Sequence, residues 1–243
     1  MPYQPHQVAV VIPIYKKEPS EYDLISIRQT INVLARYDLV IIAPEGLSLA
    51  AYETLYPDFQ VLRFAPRYFE GVSGYNRLML SSRFYRAFRG YAYMLICQTD
   101  AYVFRDELLM WCNKEYDYIG APFLEAMPVT LDRPVIFDLS KRLLGKVGNG
   151  GFSLRKVRTH LQVTRWFRWL TAWFPKNEDL FWCYLLPYLY PYHRPGAEEA
   201  VYFAFDLAPR KAFAMTGGQL PFGCHAWQRF DTEFWVDYIP FSH

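Results

Sequence analysis

No apolar run in this sequence approaches the roughly 18 residues that a membrane-spanning helix needs. The opening stretch MPYQPHQVAVVIPIY has neither the basic n-region nor the small-residue cleavage site of a secretory signal. Cysteine is scarce: Cys97, Cys112, Cys183 and Cys224 are the four in 243 residues, and no two are spaced as metal ligands or as a CxxC pair. All four sit among apolar or aromatic neighbours, so buried free thiols in a reducing, cytoplasmic compartment are expected, and a zinc cluster is not. An excess of one charge is missing as well. The 26 basic and 24 acidic residues leave a net charge of +2, which gives no ground for nucleic-acid binding. No internal repeat or low-complexity linker divides the chain. Two glycine signatures are also absent. No GxGxxG follows the first apolar run, and the glycine-rich GNGGFSLR lacks the Lys-Ser/Thr that must end a P-loop.

What the sequence does have is apolar and aromatic bulk: 52% hydrophobic and 19% aromatic, with 20 Tyr and 19 Phe. That suffices for a full core in one substantial domain over 1–243, and it suits either core filling or stacking against carbohydrate and nucleobase. VAVVIPIY (8–15) is an unbroken β-branched run, as in a strand buried on both faces. Ser20 predicts the cap of a helix over 21–36 with Leu24, Ile27, Ile31 and Leu34 on one face. Strands are predicted at 39–43, 60–64, 93–97 and 116–122, and helices at 73–88 and 105–114. This alternation through residue 122 predicts an α/β fold, doubly wound around a mostly parallel sheet. Residues 124–147, with Pro128 and Pro134, read as a loop, followed by helices at 156–173, 177–189 and 197–206 and by LPFGCHAW (220–227) closing the core. The second half thus reads as a helical and loop portion built onto the first. Ligands of open parallel sheets bind beyond the carboxyl ends of the strands, so Pro13–Tyr15, Pro44–Glu45 and Gln98–Asp100 should meet on one rim.

Several side chains carry chemistry there, each with a plainer alternative. Asp100 ends an apolar strand, where a carboxylate either caps a loop or holds a divalent cation and through it a diphosphate. The glycines of 148–151 either form a tight turn before a strand or let backbone approach a ligand closely. Asn177, Glu178 and Asp179 open a helix, where acids favour the dipole; alternatively one is a general base, and an Asp is ionised near neutral pH without tuning. His225 is a core histidine or a ligand for Mn²⁺ or a phosphate oxygen. Asn76 and Arg77 start a helix, and Arg77 either faces solvent or grips phosphate. Trp166, Trp169, Leu170 and Trp173 fall at helical spacing, as a core stripe, an acceptor wall or a helix lying on a membrane surface.

The order of these motifs, VAVVIPIY, QTD (98–100), GNGGFSLR (148–155), NED (177–179) and a late His225, resembles the GT-A fold glycosyltransferases, with their DxD motif, glycine-rich loop, xED motif and C-terminal His. QTDAYVFRDEL, YDYIGAP and LPFGCHAW further resemble a bacterial family of uncharacterised, glycosyltransferase-like domains; the likeness spans about 8–235. It departs from the DxD pattern in one place, where Gln98 stands for the first acid. The resemblance implies a nucleotide-sugar-binding half over about 8–122 and an acceptor and catalytic half over about 123–243. Pro13, Ile14 and Tyr15 would lie against the base of a UDP-, GDP- or dTDP-sugar. Glu45 would accept from base or ribose. Asn76, Arg77, Gln98 and Thr99 would line the donor. Asp100 and His225 would hold Mg²⁺ or Mn²⁺ against the diphosphate. Gly150, Gly151, Glu178 and Trp227 would face donor sugar or acceptor, and Asp179 would deprotonate the acceptor hydroxyl with inversion at the anomeric carbon. The implied role is synthesis of a bacterial surface polysaccharide or glycoconjugate, in the cytoplasm or at the inner face of the membrane with peripheral contact. A non-catalytic carbohydrate-binding module is the alternative of a different class. A sugar nucleotidyltransferase ranks lower, because PIYKKEPSEYD carries no glycine after the first strand.

Overall fold

A computed structural model describes residues 2–125, 142–174 and 177–241; the loop expected over 124–147 lies largely outside them. A six-stranded sheet runs in the order β3-β2-β1-β4-β7-β6. Its strands are β1 (Val8–Pro13), β2 (Asp38–Pro44), β3 (Gln60–Phe64), β4 (Tyr93–Cys97), β6 (Tyr118–Ile119) and β7 (Phe152–Lys156). The first four pair in parallel, while β7 is antiparallel to both of its neighbours. The unbroken apolar runs have the cause the sequence suggested. Val8 and Val10 pack into one core layer and Ala9 and Val11 into the opposite one, so helices cover both faces of the strand. The second half of the chain therefore adds a strand inside the main sheet as well as helices beside it. A second sheet, β5-β9-β8, joins β5 (Ala101–Val103), β8 (Ala204–Phe205) and β9 (Gly223–His225).

Ser20 caps the first helix, Glu21–Leu34: its Oγ accepts from the Asp23 N–H at 3.2 Å while Asp23 returns a bond to the Ser20 N–H. The helix expected over 73–88 is two, Gly71–Met79 and Ser82–Ala87, because Ser81 is extended and its Oγ caps the Phe84 N–H. The helix expected over 156–173 is likewise divided at Phe167, whose φ of −100° and ψ of 28° end Val157–Trp166 and start Arg168–Trp173. The helix expected over 177–189 is α only at Glu178–Leu180 and then widens into a π-turn over Phe181–Leu185; Pro187, which has no N–H to continue the ladder, sits in a 3₁₀ turn. The strand expected over 116–122 shrinks to the two residues of β6. Trp166, Trp169 and Trp173 do not form a core stripe; they are 63%, 65% and 85% exposed. All four cysteines are free and buried. Among the described residues, no helix is long and apolar enough to cross a membrane.

Candidate active site

The ends of β1 and β4 open into a cavity of about 510 Å³, the size of a small-molecule site. Pro13, Tyr15, Gln98, Thr99 and Asp100 line its sheet side. Gly150, Gly151, Glu178, Asp179 and His225 line the other. Eleven of the fifteen residues given a site role from the sequence thus meet around one void, although they are far apart in the chain.

The small sheet explains how. In β5 and β9, Ala101 lies opposite His225, and in β8 and β9, Phe205 aligns with Cys224. The residues just outside those pairs, Asp100 and Asp206, are therefore delivered to the two sides of the His225 ring. Asp100 Oδ1 is 3.2 Å from Nε2, and Asp206 Oδ1 is 3.3 Å from Nδ1. Gln98 Oε1 also lies 3.2 Å from Nε2. Burial alone would lower the imidazole's affinity for a proton, but Asp100 and then Asp206 outweigh it and push His225 up to about 10. Burial would raise Asp100; the charge of His225, and further off that of Arg229, brings it below the ordinary carboxylate value. Asn149 completes the cluster. It takes a left-handed φ of 66°, its Oδ1 accepts from the Gly151 N–H at 2.9 Å, and its Nδ2 donates to Asp206. Gly151 has no room for anything larger, since a Cβ there would collide with the His225 ring.

On the other side of the glycine loop lies Arg155, wholly buried in β7. Its guanidinium donates to Glu178 through Nη2 at 2.8 Å and Nη1 at 3.2 Å, to the Tyr85 hydroxyl at 3.0 Å and to Ser153 Oγ at 3.0 Å. Glu178 is 3% exposed and has both oxygens engaged by this cation, so it is a scaffold residue and not the free sugar ligand expected of it. Gly150 is small for the same reason: a Cβ there would strike Glu178, so the glycine admits a side chain of the protein and not a sugar. Asn76 is likewise engaged with protein. Its Oδ1 accepts from the Glu178 N–H and its Nδ2 donates to Asn177 Oδ1, both at 3.3 Å, which fixes the start of the acidic segment.

Asp179 is the member of that segment left to the cavity. One oxygen accepts from the Leu180 N–H at 2.8 Å; no other hydrogen bond reaches its carboxylate from the described residues. Burial first, and then the negative charge of Glu178, push it up from 3.8 to about 7. The carboxylate is thus tuned to neutrality, which corrects the expectation that an untuned Asp would serve.

Four expected site residues lie elsewhere. Ile14 is 1% exposed and packs with Ile27, Ile41 and Leu49 beneath the sheet. Glu45 is exposed at the far end of β2 and does not reach the cavity. Arg77 points from its helix into a different cavity, because Asn76 and Tyr75 occupy the face turned to this one. Trp227 is fully buried, with its Nε1 donating to Ser26 Oγ at 3.0 Å, so it is a core residue and not a sugar platform. Three residues not foreseen take up positions in the site: Asp206, Asn149 and Arg229, the last being the one Arg among the described residues that lines the cavity. Asp206 ends the apolar run AVYFAF as Asp100 ends YMLIC, and that repeated pattern was its sequence signal.

No cluster of three His, Cys, Asp or Glu side chains suited to a metal occurs among the described residues. The donor set nevertheless fits a cation that brings most of its own ligands. Asp100 Oδ1 and Gln98 Oε1 both approach His225 Nε2 at 3.2 Å, and Asp206 faces Nδ1, so a cation taken up between Asp100 and Gln98 would replace the proton on Nε2 while Asp206 keeps the one on Nδ1.

A family model described as "Protein of unknown function (DUF5672)" matches residues 58–225. No curated protein matches the chain by sequence. Among solved structures, the galactosyltransferase LgtC in complex with donor and acceptor sugar analogs is 12% identical, with a TM-score of 0.53 over 94% of this chain and 94% of that one. GlyE, a glycosyltransferase of Streptococcus pneumoniae TIGR4, is 12% identical with a TM-score of 0.55 over 98% of this chain, which spans 61% of GlyE. Mouse xyloside xylosyltransferase 1 is 11% identical with a TM-score of 0.53, over 90% of this chain and 97% of that one. At these identities the likeness is one of fold, and the fold is that of the GT-A glycosyltransferases expected from the motif order.

Proposed function

The chain belongs to the DUF5672 family, whose description assigns no activity, and from the chemistry of its cavity we propose that it is an inverting glycosyltransferase acting on a nucleotide-sugar donor and a hydroxyl acceptor. The observation that carries the reading is the pairing of Asp179 with the Asp100–His225–Asp206 cluster across one cavity at the carboxyl ends of the strands. The first is a carboxylate poised near neutral pH; the second is a polar, charged pocket that can meet a diphosphate through a bound cation, with Arg229 on the same lining. The likeness to a galactosyltransferase crystallised with donor and acceptor sugar analogs supports the same class.

The donor, a UDP-, GDP- or dTDP-sugar, lies along Pro13, Tyr15 and Thr99, with its diphosphate at Asp100 and His225. Mg²⁺ or Mn²⁺, when held there by Asp100, His225 and the Gln98 amide oxygen, supplies charge neutralisation for the departing diphosphate. Asp206 and Asn149 hold the His225 ring in place. Arg229 takes the phosphate-binding role first expected of Arg77. Asp179 accepts the proton of the acceptor hydroxyl as the new bond to the anomeric carbon forms. The bond from that carbon to the diphosphate oxygen breaks on the opposite face, so the configuration inverts and the nucleoside diphosphate leaves with the electron pair. The acceptor is a glycan or glycoconjugate of a bacterial surface polymer.

The test is Asp179→Asn combined with a screen of UDP-, GDP- and dTDP-sugars with and without Mn²⁺. The variant should lose about 10²–10⁴-fold in transfer while keeping its thermal midpoint. Near-full activity in the variant would remove the base assignment, and the absence of turnover or binding for every donor would remove the reading.

A further inference from the structure

A second cavity, of about 340 Å³, lies where the helices Gly71–Met79, Ser82–Ala87, Val157–Trp166 and Arg168–Trp173 come together. Arg67, Arg77, Arg83 and Arg168 line it, and its lining contains no carboxylate. None of these four guanidiniums is paired with a carboxylate among the described residues. Elsewhere Arg36, Arg105, Lys114, Arg155 and Arg210 each have an acidic partner within 3 Å. Four like charges around one void repel each other, and their planar forks suit the oxygens of a phosphate.

The helix that supplies Arg168 also carries two exposed indoles, and a third, Trp166, ends the helix before it. Arg168 and Ala172 turn to the cavity, and Trp169 and Trp173, one residue further round the helix, stand 65% and 85% exposed; Trp166, three residues before Trp169, is 63% exposed. Indole is costly to leave in water and favours the boundary between lipid headgroups and acyl chains. Cationic cavity and indole row are thus neighbours on one surface, the two elements of an interfacial anchor.

We propose that this surface docks the protein on an anionic phospholipid membrane, with a headgroup phosphate in the arginine cavity and the three indoles at the acyl boundary. The inference uses no residue of the proposed catalytic site and holds or fails independently of the transfer reaction. Flotation of the whole protein with phosphatidylcholine vesicles, with and without phosphatidylglycerol, tests it directly. Binding should require the anionic lipid and weaken as salt rises. Arg83→Gln with Arg168→Gln should weaken it about 25-fold, roughly fivefold for each charge removed. Trp169→Ser with Trp173→Ser should also weaken it, and Arg83→Lys with Arg168→Lys, which keeps the charge, should bind within a few-fold of the wild type. No binding to anionic vesicles, or binding unchanged in both the arginine-to-glutamine and the tryptophan variants, overturns the proposal. So does saturable binding of inorganic phosphate by calorimetry without any vesicle binding, which would identify a soluble anion as the ligand.

Discussion

The two sides of the glycine loop use charge in opposite ways. On one side Arg155 and Glu178 are both buried, and every hydrogen-bonding oxygen of the acid faces the cation. On the other side His225 stands between Asp100 and Asp206 with its edge open to the cavity. Residue types are similar in the two clusters; burial and satisfaction separate them. A saturated pair has nothing left to offer a ligand and serves as scaffold. An open cluster keeps donor atoms for one. The contrast is sharpest between two neighbours in sequence, Glu178 committed to Arg155 and Asp179 left to the cavity.

Glu178→Gln breaks the comparison most severely. It strands a buried guanidinium, so urea denaturation should report a loss of about 3–5 kcal/mol. Asp206→Asn tests the open cluster. The fold should keep its stability, while Mn²⁺ and nucleotide affinities measured by calorimetry should fall about 10–100-fold, because the His225 ring loses its orienting carboxylate. The pH response tests Asp179. With Asp179 pushed up from 3.8 to about 7, the native state holds a proton that the unfolded chain has released. Its contribution to stability is therefore full below pH 4 and is lost as pH rises towards 7. Activity runs the other way: kcat/KM should climb about tenfold per pH unit up to pH 7 and then level off, and Asp179→Asn should abolish both trends. The smallest effect is expected at Trp227, where Trp227→Phe removes one buried hydrogen bond to Ser26. Chemical denaturation should show a loss of about 1 kcal/mol, with no change in the KM for sugar donors.

The parallel strands were legible because each is a run of apolar residues buried on two faces: VAVVIP, LVIIA and YMLIC mark β1, β2 and β4 within a residue or two. The ends of those runs located Asp100 and the sheet side of the cavity. The small sheet was not legible. Its strands have two or three residues each, too few for a periodic signal, and Ala204–Phe205 reads as the tail of a helix until the backbone turns extended. Asp206 was missed with it. Arg155 stands in the glycine motif with nothing in the sequence to show its partners, and only the folded chain brings Glu178, Tyr85 and Ser153 to its guanidinium. Trp227 was misjudged in the opposite sense: an indole beside a site histidine suggests a sugar platform, but Ser26 lies where its N–H points.

The three-stranded sheet also ties the site to the order in which the chain assembles. Residue 100 reaches 206 and 225 through the β5–β9 pairing, which spans more than a hundred positions, and such distant closures are late events in folding. The parallel strands β1 to β4 all lie within the first 97 residues and can pair before the histidine strand exists. A chain that has formed them still has an unfinished pocket, with Asp100 waiting for its imidazole. Side chains alternate faces along a strand, so a slip of one residue in β9 would turn His225 away from both aspartates. Binding competence is then a late and all-or-none property of this fold, and ligand-induced protection from proteolysis should appear only after the last strand has docked.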